Sequence, residues 1–301
     1  MLQLNVSQTH LVIYWHLICG GGRDHIPPWV CRGGKAGYKV MGNRNIKMII
    51  AYDGSRYAGW QRLKEESGKR SVQAVIEEAI FLSLKEEIKV IGSGRTDKGV
   101  HALGQAVNFI CKCQAEVKDI KSNLQKHLPE DIAILSLEEA SEDFHSRKSA
   151  ISKTYEYRFE TSEIPSVFLR KQVFALQKEL DIKEMERAAS WLLGTHDFRG
   201  FSSEKREEFN TIRRIDSISV IETVTKCHHR EIKEIRLLIT GSGFLYNMVR
   251  IIAGTLLEVG EHKRAAEDIK NILASRKRDT AGITLPPEGL YLKEVVYNNG
   301  T

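Results

Sequence analysis

Several features are missing from this chain of 301 residues, and each absence narrows what it can be. The longest apolar run, Leu11 to Cys19, is nine residues. A membrane-spanning helix needs ~18, so no such helix and no membrane partner is expected. Met1 to Gly22 carry no positive charge, which removes the basic start of a secretory signal. The five cysteines are an odd and scattered set. They do not make a disulfide scaffold, and they fit the reducing cytoplasm. Cys111 and Cys113 lie two apart with no second pair to complete a tetrahedral set, so no metal site is expected. No short repeat or low-complexity tract interrupts the chain.

What is present is ordinary globular composition, 42% hydrophobic and 28% charged, over a length that allows two domains. The net charge of +6 hints at an acidic partner such as nucleic acid. Half of that excess sits in the first 40 residues, where Arg23, Arg32, Lys35 and Lys39 face only Asp24. A claim of RNA binding must therefore rest on where the charges lie. The same 40 residues lack helical or strand periodicity. They hold two of the four tryptophans and six glycines. Residues 1–40 are read as a mistranslated or disordered leader, with patterned sequence starting at Met41.

From there the elements follow quickly. Lys47–Tyr52 is an apolar strand, followed by the turn signal Asp53-Gly54-Ser55. Ser71 can cap a helix whose inward positions are Val72, Val75, Ile76, Ala79 and Ile80. Strands are expected at 88–91, 105–111, 132–137, 154–160, 211–221, 234–240 and 290–297. Helices are expected at 116–128, 181–193, 243–259 and 265–275. The mixture lacks regular βαβ spacing, and several strand connections are short. The fold class is therefore α+β: two domains, each a mainly antiparallel sheet with helices on one face, and a cleft between them. The domain boundaries are 41–143 and 144–301.

Residues 92–109, GSGRTDKGVHALGQAVNF, set a lone carboxylate, Asp97, among Gly92, Gly94, Gly99, Arg95, Lys98 and His101. Three readings are open. A hairpin-like turn would use the glycines for positive φ. A phosphate loop fits poorly, because neither G-x-G-x-x-G nor G-K-[ST] is present. A catalytic carboxylate would be kept ionised by its basic neighbours.

The run Gly94-Arg95-Thr96-Asp97-Lys98-Gly99-Val100-His101-Ala102 resembles the G-R-T-D-x-G-V-H-A signature of the TruA-type tRNA pseudouridine synthases. Further segments resemble that family in its own order: Tyr52-Asp53-Gly54, Gly59-Trp60-Gln61, Ser71-Val72-Gln73, Phe144-His145-Ser146-Arg147, Tyr155-Glu156-Tyr157, His196-Asp197-Phe198, Thr211-Ile212-Arg213, Phe244 to Arg250, and Gly289-Leu290-Tyr291-Leu292. The resemblance spans about residues 45–297. Two departures stand out. Ser146 replaces the family's usual Ala, and Glu156 stands where a basic residue is common.

The resemblance implies isomerisation of uridine to pseudouridine on the 3′ side of the anticodon stem-loop of tRNA. It also implies a homodimer, with one RNA spanning both subunits and the cleft binding RNA. There is no redox change and no group transfer, so no cofactor is needed. Asp97 would attack C1′ or take the C2′ proton. Arg250 would hold that carboxylate. Tyr155 would stack on the flipped base and serve the final C5 proton removal, while Tyr157 is read as packing. Arg95 would fill the space of the flipped base or grip a phosphate. Arg56, Arg147 and Arg213 are further substrate contacts, in a wider basic set of Arg62, Lys64, Lys69, Arg70, Lys148, Arg206 and Arg214. His101 is read as an ordinary hydrogen-bonded histidine. Two rival functions are a non-catalytic RNA-binding protein and a phosphate-loop enzyme acting on nucleotides.

Overall fold

A computed structural model describes residues 42–63, 68–227 and 230–298. The leader expected at 1–40, the proposed start at Met41 and the basic candidate Lys64 lie outside these residues. Among the described residues there are ten strands and five helices. The first half holds β1 (Arg44–Tyr52), α1 (Val72–Leu84), β2 (Ile91–Gly92), β3 (His101–Cys111), α2 (Val117–His127) and β4 (Ile132–Ala140). The second holds β5 (Ala150–Glu160), β6 (Phe174–Ala175), α3 (Ile182–Ser190), β7 (Gly194–Asp197), β8 (Ile212–Cys227) and β9 (Arg230–Gly241). It ends with α4 (Met248–Gly260), α5 (Asp268–Ser275) and β10 (Leu290–Tyr297). Among the described residues, no helix is long and apolar enough to cross a membrane.

Local sequence explains the main elements. In β1, Ile46, Met48, Ile50 and Tyr52 alternate inward and are all buried, as a period of two requires. At α1 the Ser71 hydroxyl accepts from the Ala74 amide, and Val72, Val75, Ile76, Ala79 and Ile80 form the buried face. Lys85 closes that helix in the left-handed region, with its amide donating to the Phe81 carbonyl.

The strands of the two halves join in a single sheet, in the order β4-β1-β3-β10-β5-β9-β8-β7. All these pairings are antiparallel except β10 with β3. The short β2 pairs with β3, and β6 runs parallel to β5. The fold is thus mixed α and β on a mainly antiparallel sheet, as expected. The separate sheets expected for each half are instead continuous through β10. This strand comes last in the chain yet sits at the sheet's middle. Its register aligns Ala102 of β3, Leu292 of β10 and Tyr155 of β5 in one row. Strands lie ~4.8 Å apart, so Tyr155 stands about two spacings, roughly 10 Å, from the end of the Asp97 motif.

One helix is shorter than its apolar pattern predicts. Residues 243–247 continue the hydrophobic run, but α4 begins only at Met248. Asn247 adopts φ 61°, which breaks the helical path at a residue type that tolerates it. The irregular stretch before it carries Phe244 to Asn247 past the Asp97 loop.

Candidate active site

The glycine-rich motifs near the start of the chain clamp the Asp97 loop from outside. Gly59 has φ +105°, and a Cβ there would stand 2.7 Å from the Thr96 carbonyl oxygen. The next residue, Trp60, donates its amide to that same carbonyl at 3.0 Å. A Cβ on Gly92 would strike the Trp60 ring at 2.5 Å, so bare backbone is needed where the indole packs. The Thr96 hydroxyl and the Tyr52 hydroxyl are 2.8 Å apart. Gln105 holds the other end, donating to the Gly94 carbonyl at 2.8 Å and accepting from the Ser93 hydroxyl. The loop is therefore fixed by its own strand β3 and by the segment after β1, and the Asp97 side chain is left free of direct hydrogen bonds to these supports.

Asp97 lines a cavity of about 710 Å³ together with Arg95, Arg147, Tyr155 and the Phe244–Val249 segment. That volume falls within the roughly 300–1,000 Å³ of pockets that enclose small-molecule-sized groups. The Arg250 Nη1 approaches the Asp97 carboxylate from behind, at 4.0 Å. Its contact is one-pointed, because Nε donates to the Leu285 carbonyl at 2.6 Å and Nη1 to the Asn247 side chain at 2.9 Å. The left-handed turn at Asn247 thus orients the guanidinium. Burial raises the Asp97 pKa above the ordinary 3.8, and the Arg250 charge opposes the rise without cancelling it. Burial therefore outweighs the lowering effect of Arg250.

Tyr155 is 8% exposed and packs edge-on against Phe244, with centroids 5.0 Å apart. Such a pair contributes about 0.5–1.5 kcal/mol. Burial and then the negative charge of Asp97 hold its phenol well above the usual range, so it is a neutral hydroxyl. Tyr157 points into the core on the same face. Its hydroxyl donates to the Pro286 carbonyl at 2.8 Å, away from the cavity.

The other expected contacts divide. Arg95 and Arg147 are exposed and line the cavity. Arg206 also lines it, lying over the Phe209 ring and paired with Glu204. Arg213 stands behind that wall, donating to the carbonyls of Asn210 and Ile212. Arg56 is directed elsewhere, into ion pairs with Asp131 at 2.8 Å and Glu130 at 3.4 Å. Arg62 pairs with Glu77, and Arg214 with Asp216. His101 is buried beside Tyr291 and accepts from the Gly54 amide through Nδ1.

Four residues of the site were given no role by the sequence, although Phe244 and Tyr246 lie in a segment that resembles the family. Phe209, Phe244 and Tyr246 add an aromatic lining, and Lys153 adds a cation. Lys153 lies two residues before Tyr155 on β5, so strand alternation could have found it. Phe244 and Tyr246 were hidden by a helical pattern that the chain does not follow.

The two departures are compensated. The Ser146 hydroxyl is fully buried and donates to the Ile91 carbonyl at 2.5 Å. Glu156 points to the face opposite Tyr155. There, at 1% exposure, it meets Arg158 at 2.6 Å, Lys293 at 3.0 Å and Arg236 at 3.9 Å.

The sequence profile of the tRNA pseudouridine synthase family matches residues 48–147 and 188–298. The chain is 45% identical over 254 residues to the tRNA pseudouridine synthase A of Acetivibrio thermocellus, covering 84% of this chain and all of that protein. It is 43% identical to tRNA pseudouridine synthase A 2 of Clostridium tetani, covering 85% of this chain and 99% of that protein. Against the tRNA pseudouridine synthase A of Bacillus subtilis it is 40% identical, covering 84% and 99%. The matched segments contain the Asp97 loop, α4 with Arg250, and β10. The chain belongs to the tRNA pseudouridine synthase family.

Proposed function

We propose that the chain converts uridine to pseudouridine in the anticodon stem-loop of tRNA, with Asp97 as the catalytic carboxylate. The observation that carries this reading is the placement of Asp97 in a cavity of nucleotide-fitting size, with Arg250 at 4.0 Å. The target base, flipped from its stack, would lie on Tyr155. Flipping costs a few kcal/mol, which phosphate contacts must help offset. Arg95 and Arg147 are the exposed cations available for this at the cavity, with Arg206 beside them once Glu204 yields it. Arg56 enters this reading only if RNA competes with Asp131 and Glu130. Arg213 acts through Phe209, whose ring its guanidinium faces at 5.9 Å.

In the reaction the uracil leaves C1′ through N1, turns within the cavity and returns through C5. Asp97 either bonds to C1′ or takes the C2′ proton. Its raised pKa makes the carboxylate a better proton acceptor than a solvated one. Arg250 steadies the anion before the reaction and after it. Because Tyr155 is a neutral phenol, it accepts the C5 proton only while passing its own proton on, and Asp97 is the carboxylate whose charge it feels. The C5 proton that leaves is matched by a proton taken up at N1, so the isomerisation balances without a redox partner. A cytoplasmic homodimer belongs to the same reading, and sedimentation of the protein alone and with tRNA tests it. The activity is tested by incubating the protein with an unmodified tRNA transcript, treating with carbodiimide and mapping reverse-transcription stops. The expected result is a stop within the anticodon stem-loop. No stop anywhere, from folded protein that binds the tRNA, would contradict the reading.

A further inference from the structure

We propose that Lys153 is a further catalytic residue, stabilising the uracil anion that forms when the C1′–N1 bond breaks. The proposal rests on the isomerase reading above and adds a role that neither Asp97 nor Arg250 can fill. Heterolysis of that bond leaves its electron pair on N1, and the resulting charge spreads over the ring nitrogens and the O2 and O4 oxygens. If Asp97 attacks C1′, the carbon gains an oxygen as it loses the nitrogen. If Asp97 takes the C2′ proton, a C1′–C2′ double bond forms instead. Both routes release the same anion. It must be held while it turns, before C5 bonds to C1′, the carboxylate or the C2′ proton is restored, the C5 proton leaves and N1 takes up a proton. Preorganised donors facing developing charge are among the strongest catalytic devices.

Lys153 has the position and the unmet charge for this. It lines the same cavity as Asp97, on the strand face that carries Tyr155. Its Nζ and the Tyr155 hydroxyl each lie 3.7 Å from where a Cβ on Gly94 would project, so the two groups converge on one spot. The ammonium donates to the Ser93 carbonyl at 2.6 Å, which uses one of its three hydrogens. Among the described residues no carboxylate forms an ion pair with it. Burial, and then the like charge of Arg147, push it down to about 8. A half-buried cation beside another cation, with only a neutral acceptor, is a site made for an anion. The exposed Arg95 and Arg147 are available for phosphates. Lys153 lies deeper, beside the ring that would carry the base.

The test compares wild type, Lys153→Met and Lys153→Arg in single-turnover reactions on a tRNA transcript, with binding measured separately. Each is run with uridine and with 5-fluorouridine at the target site. Fluorine withdraws electrons and makes the base a more stable anion. It blocks only the final proton loss, so exchange of the glycosidic bond is still readable after nucleoside digestion. Lys153→Met should keep its tRNA affinity and lose about 10²–10³-fold in rate on uridine, as for loss of one charge-stabilising donor. The loss should be smaller on 5-fluorouridine, and Lys153→Arg should recover part of the rate. Equal losses on both substrates would reduce Lys153 to a peg for the Ser93 loop. A loss of affinity with an unchanged rate would make it a phosphate contact. Either result overturns the proposal. Failure of wild type to isomerise uridine at all would instead overturn the isomerase reading.

Discussion

At the scale of single residues, the site is a contest between burial and charge around one carboxylate. Withdrawal from water raises the Asp97 pKa and Arg250 lowers it. The proposed reaction needs the ionised form, so the rate should fall on the acid side, with an apparent pKa above the ordinary 3.8. Removing the guanidinium in Arg250→Met removes the lowering influence, so that acid limb should move to higher pH. A pH profile of single-turnover rates checks this, and an unmoved or lowered limb would mean that Arg250 does not act on Asp97. The two tyrosines of β5 should also separate. Tyr155→Phe should still bind tRNA while losing about 10²–10⁴-fold in rate, the usual contribution of a general acid–base group. Tyr157→Phe gives up a hydrogen bond to Pro286 worth about 1 kcal/mol of stability and should leave the rate nearly unchanged. A wild-type rate for Tyr155→Phe would leave its ring as a stacking platform only.

At the scale of elements, the Asp97 loop is held by backbone at glycines that admit no side chain. Gly59→Ala places a methyl 2.7 Å from the Thr96 carbonyl at a φ of +105°. The strain costs about 1–3 kcal/mol. Because its relief must move the residue preceding Asp97, the rate should fall further than this stability loss alone explains. Melting and single-turnover measurements on one preparation decide the matter; a lowered melting point with a normal rate would show the loop to be independent of Gly59. Much of this was legible in the sequence. The Ser71 cap, the alternation in β1 and the Asp97 signature all depend on contacts within a few residues. The break before α4 was not legible, because Phe244 and Leu245 are apolar for a tertiary reason and mimic a helix face. Nor was the fate of Arg56, whose partners Glu130 and Asp131 lie more than 70 positions away. Ile88–Ile91 reads as a strand, yet only Ile91 and Gly92 pair. The segment leading into them instead threads past Glu77, which accepts from the Val90 amide.

At the scale of the whole molecule, the continuous sheet brings the Asp97 loop and Tyr155 together through a strand from the other end of the chain. The face opposite the cavity depends on Glu156. Burial alone would raise its pKa, but the hydrogen bond from Lys293 and the charge of Arg158 hold the carboxyl below its ordinary value. A depressed pKa means that its stabilisation is present above the unfolded value of 4.5 and is lost as pH falls through the folded one. Glu156→Gln should therefore cost about 1–3 kcal/mol near neutral pH, towards the low end because its cations reach solvent. The gap to wild type should close in acid. Denaturant melts at two pH values measure it, and a gap that widened in acid would contradict the assignment. The proposed chemistry turns on one carboxylate. Its most direct test is Asp97→Asn on an unmodified tRNA transcript, scored for pseudouridine in single turnover with affinity measured in parallel. The amide preserves shape but neither attacks C1′ nor accepts a proton, so binding should stay within a few-fold of wild type and no pseudouridine should form. Robust pseudouridine formation by the Asn protein, with deamidation excluded by mass, would contradict the central claim.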